Sequence, residues 1–130
     1  MDSTLKGGCA CGQVRYTVKG TPKFTFICQC RACQQMTGAD HSVAIGIGTE
    51  NLTVNGTLSR YDRTAASGHT VSTYFCPECG APIYNDPARA KGLAMVTVGS
   101  LDNPSQVTPD RIFYAEDRIP WDHARVSEKN

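Results

Sequence analysis

Residues 76–80 read Cys76-Pro-Glu-Cys79-Gly80, a pattern typical of a zinc knuckle. Two residues between the sulfurs allow a tight turn to present both to one metal ion, and the glycine permits the backbone angle that closes the turn. A structural zinc ion takes four protein ligands, so this knuckle needs two more from elsewhere in the chain. The fold therefore depends on which side chains join Cys76 and Cys79.

Seven cysteines fall in three clusters, of which the other two are Cys9-x-Cys11 and Cys28-x-Cys30-x-x-Cys33. Spacing alone leaves open which cluster completes the knuckle. Economy favours Cys9 and Cys11, because that choice leaves a compact triplet intact and clamps the N-terminal segment to the second half of the chain across a loop of about 65 residues. The triplet would then have three protein ligands and an open fourth position, the pattern of a catalytic zinc site.

Several interpretations of the triplet remain open from the residues alone. It could hold a catalytic zinc ion with water or a thiol at the fourth position, since zinc is thiophilic and deprotonates the thiols it binds. It could instead be an empty thiol cluster, a redox pair of Cys30 and Cys33, or a second structural site completed by a nearby residue. These interpretations correspond to a zinc-dependent enzyme, a thiol-redox protein, and a one-zinc binding or scaffold module without catalysis.

Length and composition predict a single cytoplasmic domain over residues 1–130, with a core at about 5–121 and a polar tail at 122–130. No stretch approaches the roughly 20 apolar residues that span a bilayer, and no apolar segment follows the N-terminus, so we expect no membrane partner. Thirteen basic and twelve acidic residues leave a formal charge of +1 without a basic stripe, so we expect no nucleic-acid partner. The sequence does not determine the oligomeric state.

The patterning predicts a mainly β fold with little helix. Strand candidates are residues 13–18, 23–28, 41–46, 71–75, 94–98 and 112–115. Asn55-Gly56 predicts a two-residue hairpin turn within residues 52–61, because both central residues of such a turn need positive φ. A helix of about two turns is expected at 32–37, ended by Gly38. Residues 86–92 fit either a loop or a helical turn.

Four segments taken together resemble the glutathione-dependent formaldehyde-activating enzyme family, which also includes centromere protein V. They are Gly7-Gly8-Cys9-x-Cys11-Gly12, Cys28-x-Cys30-x-x-Cys33 followed by Thr37-Gly38, Phe75-Cys76-x-x-Cys79-Gly80 followed by Tyr84, and Val98-Gly99-Ser100-Leu101-Asp102. The resemblance covers roughly residues 5–121. It implies a small zinc-stabilised, β-tent-like domain of short antiparallel sheets.

The resemblance also implies roles for the cysteines. The structural zinc would be held by Cys9, Cys11, Cys76 and Cys79, and the catalytic zinc by Cys28, Cys30 and Cys33. The implied activity is that of a carbon–sulfur lyase that joins formaldehyde to a small-molecule thiol such as glutathione, giving S-hydroxymethylglutathione, and that cleaves the same bond in reverse. One departure stands out: Gln29 occupies a position where many relatives carry histidine.

A few further residues are candidates for the site. A fourth ligand or a proton shuttle could come from His41, His69 or His123; His41 is the best placed, but we expect an ordinary hydrogen-bonded histidine. Arg31, Arg60 and Arg63 could clamp a ligand carboxylate, although solvated charges are the simpler expectation. Trp121 is expected to anchor the C-terminal strand to the core.

Overall fold

The computed structural model describes residues 3–126, which form ten strands and one short α-helix. In chain order the strands are β1 (Thr4–Gly8), β2 (Arg15–Lys19), β3 (Phe24–Cys28), β4 (Ser42–Gly48), β5 (Leu52–Asn55), β6 (Ser59–Thr64), β7 (Thr70–Phe75), β8 (Pro82–Pro87), β9 (Leu93–Thr97) and β10 (Arg111–Phe113). The helix α1 (Arg31–Thr37) lies between β3 and β4. Within these residues no helix has the length and apolarity to cross a bilayer. The last four residues of the expected polar tail, 127–130, lie outside the described part.

The strands form two open sheets. The smaller has three antiparallel strands in the order β1-β2-β5, and the larger has seven in the order β10-β3-β4-β9-β8-β7-β6. Neighbours in the larger sheet are antiparallel, except that the edge strand β10 runs parallel to β3. This arrangement confirms the predicted mainly β fold of short antiparallel sheets with little helix.

The hydrophobic core lies between the small sheet and one face of the large sheet. The small sheet contributes Tyr16 and Val18, which are at most 2% exposed. From the large sheet, Ile45 and Val96 face them. Because side chains alternate across a strand, the residues between these core positions point to the other face of the large sheet. That second face carries a separate apolar cluster of Phe26, Cys28, Cys30 and Ala44, with Met95 packed against it.

The local predictions are largely confirmed. The six expected strand segments overlap β2, β3, β4, β7, β9 and β10. The expected helix begins one residue early, at Arg31, and ends where Gly38 adopts φ 68° and donates its N–H to the Gln34 carbonyl. The strands that were not predicted include β1, which ends in two glycines, and β8, which contains Asn-Asp-Pro; these residue types are depleted in strands.

The predicted hairpin at residues 52–61 is wrong. Strand β5 pairs with β2 in the small sheet, whereas β6 pairs with β7 in the large one. Gly56 does adopt positive φ, at 109°, but its connection passes from one sheet to the other. A Cβ atom there would lie 2.4 Å from the Gln13 carbonyl oxygen, and the Thr57 N–H donates to the Gln13 side chain. The glycine is therefore needed for a crossing between sheets.

Candidate metal centres and the adjoining cleft

The first cluster brings together Cys9, Cys11, Cys76 and Cys79, whose sulfur atoms all lie within 4.8 Å of one another. One pair follows β1 and the other follows β7, so the cluster joins the two sheets. The Sγ–Sγ distance is 3.6 Å between Cys9 and Cys11 and 3.8 Å between Cys11 and Cys76. A tetrahedral zinc site with bonds of about 2.3 Å has sulfurs about 3.8 Å apart. The four thiols therefore suit one tetrahedral metal ion.

Backbone amides support the sulfurs of this cluster. The Val14 N–H donates to Cys9 Sγ at 3.2 Å, and the Glu78 N–H donates to Cys76 Sγ at 3.4 Å. Burial acts to raise the pKa of the Cys9 thiol, but the Val14 amide and the neighbouring thiols outweigh it and lower the pKa to about 6. These contacts therefore favour the thiolate form of Cys9, which is the form that binds a metal ion.

The second cluster consists of Cys28, Cys30 and Cys33, whose sulfurs also lie within 4.8 Å of one another. Cys28 ends β3, Cys30 is the N-cap of α1, and Cys33 lies in the first turn of that helix. The Cys33 N–H donates to Cys30 Sγ at 3.3 Å, as a capping serine would accept it. The local strand-to-helix turn therefore places three sulfurs around one point.

The loop between Cys28 and Cys30 is held by Gln29, which is only 1% exposed. Its N–H donates to the Phe113 carbonyl on β10, and its side-chain amide donates to Asp122 Oδ2 at 2.9 Å. The Gln34 side chain donates in turn to the Gln29 carbonyl at 3.1 Å. These bonds fix the backbone between two of the three sulfurs and direct the Gln29 side chain towards Asp122.

Asp122 links this loop to His41. Its Oδ2 lies 2.9 Å from His41 Nδ1, and its Oδ1 accepts the Ala124 N–H at 3.0 Å. Burial acts to raise the pKa of the Asp122 carboxyl, but the bonds from Gln29 and His41 prevail and lower the pKa to about 2. The carboxylate is therefore buried, ionised and fully engaged, at the first position of the segment expected to be a polar tail.

A cleft of about 380 Å³ opens on the large-sheet face that points away from the core. All three cysteines of the triplet line one end of it. Its floor comes from neighbouring strands, where Ala44 and Met95 face the cleft while Ile45 and Val96 face the core. The far wall comes from the β6–β7 hairpin and β8. The triplet therefore faces an open, largely apolar space that a small ligand can enter.

The electrostatics of the triplet favour one thiolate. Hydrogen bonding to Cys28 is the main cause that lowers the pKa of Cys33 to about 5; burial opposes it, and Ser42, Cys30 and the positive charge of Arg63 add to it. The same contact with Cys33 raises the pKa of the Cys28 thiol. The cluster can thus keep a negative charge next to the cleft even before a cation binds.

Apart from Arg63, the other candidate histidines and arginines are either hydrogen-bonded to nearby side chains or exposed. His41 bonds Asp122 and lies 3.3 Å from Asp40, so the expectation of an ordinary hydrogen-bonded histidine is confirmed. His69 and His123 are exposed. Arg31 bonds Gln34, and Arg60 bonds Asp62 on the same strand.

Two expectations from the sequence are wrong. Arg63 is not a solvated charge: it lines the cleft, and its Nε is buried. Trp121 does not anchor the C-terminal strand to the core, since the side chain is 65% exposed. The residue beside it, Asp122, anchors that segment instead. A single aspartate in a polar stretch gives no local signal of this contact, because its side-chain partners Gln29 and His41 lie more than 80 residues away.

Comparisons with known proteins agree with this geometry. The sequence model of the family described as "Glutathione-dependent formaldehyde-activating enzyme" matches residues 4–117. No curated protein sequence matches the chain. A crystal structure of a Rhodobacter sphaeroides protein superimposes with a TM-score of 0.64 at 23% identity, covering 82% of this chain and 98% of that one. That similarity shows a shared fold.

Proposed function

The chain belongs to the glutathione-dependent formaldehyde-activating enzyme family, and we propose that it is a zinc enzyme which forms and cleaves the carbon–sulfur bond between a small thiol and an aldehyde. Glutathione and formaldehyde are the pair that the family description indicates. The reaction adds the thiol sulfur to the carbonyl carbon and moves the thiol proton to the carbonyl oxygen. It needs no oxidant or reductant.

The observation that carries this proposal is the position of the triplet at one end of the cleft. Cys28, Cys30 and Cys33 offer three converging sulfurs, and all three residues line a space of about 380 Å³. A site that only stabilised the fold would have four ligands and no adjoining space. The other cluster has four cysteines, of which Cys9 and Cys76 are buried in the core while Cys11 and Cys79 are exposed.

We assign a structural zinc ion to the four-cysteine cluster and a catalytic one to the triplet. Zinc in the second site would lower the pKa of a bound thiol and polarise a carbonyl oxygen. The chain's own contribution is to hold three sulfurs rigidly through the Gln29 and Asp122 contacts. The apolar cleft wall, which includes Phe26 and Met95, limits the access of water to the reacting groups.

Two other functions remain as outcomes of the test. A one-zinc scaffold module needs no open space beside the triplet, and the cleft counts against it. A thiol-redox protein would use Cys30 and Cys33 as a reversible pair. It would show two-electron changes in the count of free thiols and no metal at the triplet.

Substitution of Cys30 by serine tests the proposal. Serine can still cap α1 by accepting the Cys33 N–H, so the helix should keep its start while one sulfur ligand is lost. We expect native mass spectrometry to find two zinc ions in the wild type and one in C30S, with less glutathione retained by C30S than by the wild type. Formation of S-hydroxymethylglutathione should fall at least a hundredfold while thermal unfolding stays cooperative.

Unchanged turnover in C30S, with the second metal still bound, would rule out the proposed site. A wild type with one zinc ion and no retained thiol would favour the scaffold module. A wild type with no metal at the triplet and a reversible loss of two free thiols would favour the redox protein.

A further inference from the structure

We propose that Arg63 and Thr73 form a carboxylate anchor on the cleft wall opposite the triplet, so that the thiol substrate is one that carries a carboxylate group. This inference rests on the proposed function for the thiol end of the ligand. It adds a second point of attachment, made by residues that bind no metal and lie on different strands.

The anchor is indicated first by two buried polar atoms that lack partners. Within residues 3–126, the buried side-chain nitrogen or oxygen atoms without a hydrogen-bond partner are Arg63 Nε and Thr73 Oγ1. Buried polar atoms are nearly always hydrogen-bonded, because leaving one unpaired is costly. Both of these residues line the same cleft. A ligand atom in the cleft would supply the missing partner.

The strand register explains why these two side chains act together. Arg63 on β6 pairs with Val71 on β7, and Thr73 is two residues further along β7. Residues in this diagonal relation lie on one face of the sheet, and their backbones are about 7–8 Å apart. A long arginine side chain spans that distance. The two donors can therefore converge on one acceptor group.

The ionisable residues of the cleft indicate the charge of the ligand group. The ionisable residues that line the cleft are the three cysteines, Tyr114, Arg63 and Arg89, with no aspartate or glutamate among them. The chain as a whole is nearly balanced, with thirteen basic and twelve acidic residues. The cleft is therefore selectively free of carboxylates, and its wall opposite the sulfurs is positive. An anionic group is the acceptor that this wall favours.

The donor geometry favours a carboxylate. The Nε–H and one terminal N–H of a guanidinium form a planar fork that matches the two oxygens of a carboxylate. The Thr73 hydroxyl adds a third donor to the same group. Arg63 has no ion pair in the described part of the chain, whereas Arg60 on the same strand is paired with Asp62. The Arg63 fork thus remains available to a ligand.

Binding of S-methylglutathione tests the anchor separately from the metal site. This probe has the carboxylates of glutathione but no thiol, and its affinity can be measured by isothermal titration calorimetry on the full chain as purified. We expect R63Q to weaken binding by about tenfold to a hundredfold, since a hydrogen-bonded charge is lost. T73V keeps the side-chain shape and should weaken binding by a smaller factor. R63K keeps the charge without the fork and should restore part of the affinity.

The matched control is R60Q, which removes the same charge from the same strand on the opposite face of the sheet. It should change the affinity by less than twofold. A second probe, 2-mercaptoethanol, has a thiol without a carboxylate, and R63Q should leave its binding unchanged. Glyoxylate, a carboxylated aldehyde, shows whether the anchor serves the aldehyde instead of the thiol.

Equal affinity of S-methylglutathione for the wild type and R63Q would overturn the anchor, and so would a wild type that does not bind this probe. A larger effect of R63Q on glyoxylate than on S-methylglutathione would overturn its assignment to the thiol substrate. Failure of the proposed function gives a different pattern: 2-mercaptoethanol would not bind, while S-methylglutathione would still bind and still depend on Arg63.

Discussion

At the scale of single residues, the triplet is held in place by polar side chains that are not ligands themselves. Gln29 occupies the position between two site cysteines, and its amide bonds a buried aspartate instead of facing the cleft. Asp122 then joins Gln29 and His41. The cysteine positions could be predicted from spacing. The Asp122 contact could not, because it joins residues 93 apart through side chains that are common on surfaces.

Substitution of Asp122 by asparagine should destabilise the domain by about 1–3 kcal/mol at pH 7, because the buried carboxylate accepts bonds that an amide satisfies poorly. The pKa of Asp122 is lowered to about 2, below the ordinary value near 4. Its contribution is therefore complete above about pH 4 and is lost as the pH falls towards 2. The difference in unfolding free energy between wild type and D122N, measured by urea denaturation, should shrink over that range.

The control for this prediction is D102N. Asp102 bonds Arg15, but its side chain is 49% exposed. D102N should therefore lower the free energy of unfolding by less than about 1 kcal/mol. Thiol protonation at low pH affects all variants alike, so the difference isolates the carboxylate. A gap between wild type and D122N that stays constant from pH 5 to pH 2 would contradict the assignment.

At the scale of elements, strand alternation separates the two faces of the large sheet: one packs in the core and the other lines the cleft. Strand β4 presents Ile45 and Ile47 to the core and Ala44 to the cleft, and β9 presents Val96 to the core and Met95 to the cleft. This division could be predicted only in part, since alternation identifies the two faces without telling which one meets another layer. The hairpin error has the same origin: the local turn signal at Asn55-Gly56 predicts the positive φ of Gly56 but not the φ of Asn55, and it says nothing about which sheet the next strand joins.

Gly46 illustrates how closely the cleft face is packed. A Cβ atom there would lie 2.4 Å from the Phe24 ring, which also packs against Phe26 at 5.6 Å. We expect G46A to displace that ring and to lower the free energy of unfolding by about 1–3 kcal/mol, as measured by thermal or urea denaturation. The matched control is G48A on the same strand, because its Cβ would meet the end of the flexible Glu50 side chain. Equal effects of the two substitutions would show that the ring is free to move.

At the scale of the whole molecule, the four-cysteine cluster connects the sheets that enclose the core. Two of its residues, Cys9 and Cys76, belong to the core itself. The sequence left the partner of the 76–79 knuckle open, and resemblance to the family supplied it. The structure places the four sulfurs together as that resemblance implies. Distances between clusters 65 residues apart depend on the whole topology, so spacing could not have given them.

The two clusters should differ in what they contribute to stability. We expect C76S to lose cooperative folding, since a structural zinc site contributes about 10 kcal/mol or more of apparent binding energy to the folded state. C33S should keep a cooperative transition within a few degrees of the wild type. Thermal unfolding, monitored by near-ultraviolet circular dichroism, distinguishes the two variants. Equal loss of structure in both variants would contradict the division into one structural and one functional site.

The parallel pairing of β10 with β3 has a consequence for biosynthesis. All four cysteines of the four-cysteine cluster precede residue 80, so a growing chain on the ribosome can bring them together early. The support of the triplet comes from Phe113 and Asp122, which are synthesised after all seven cysteines. A growing chain can therefore complete the four-cysteine cluster before the contacts that organise the triplet, and a product that ends before residue 113 keeps every cysteine while lacking those contacts.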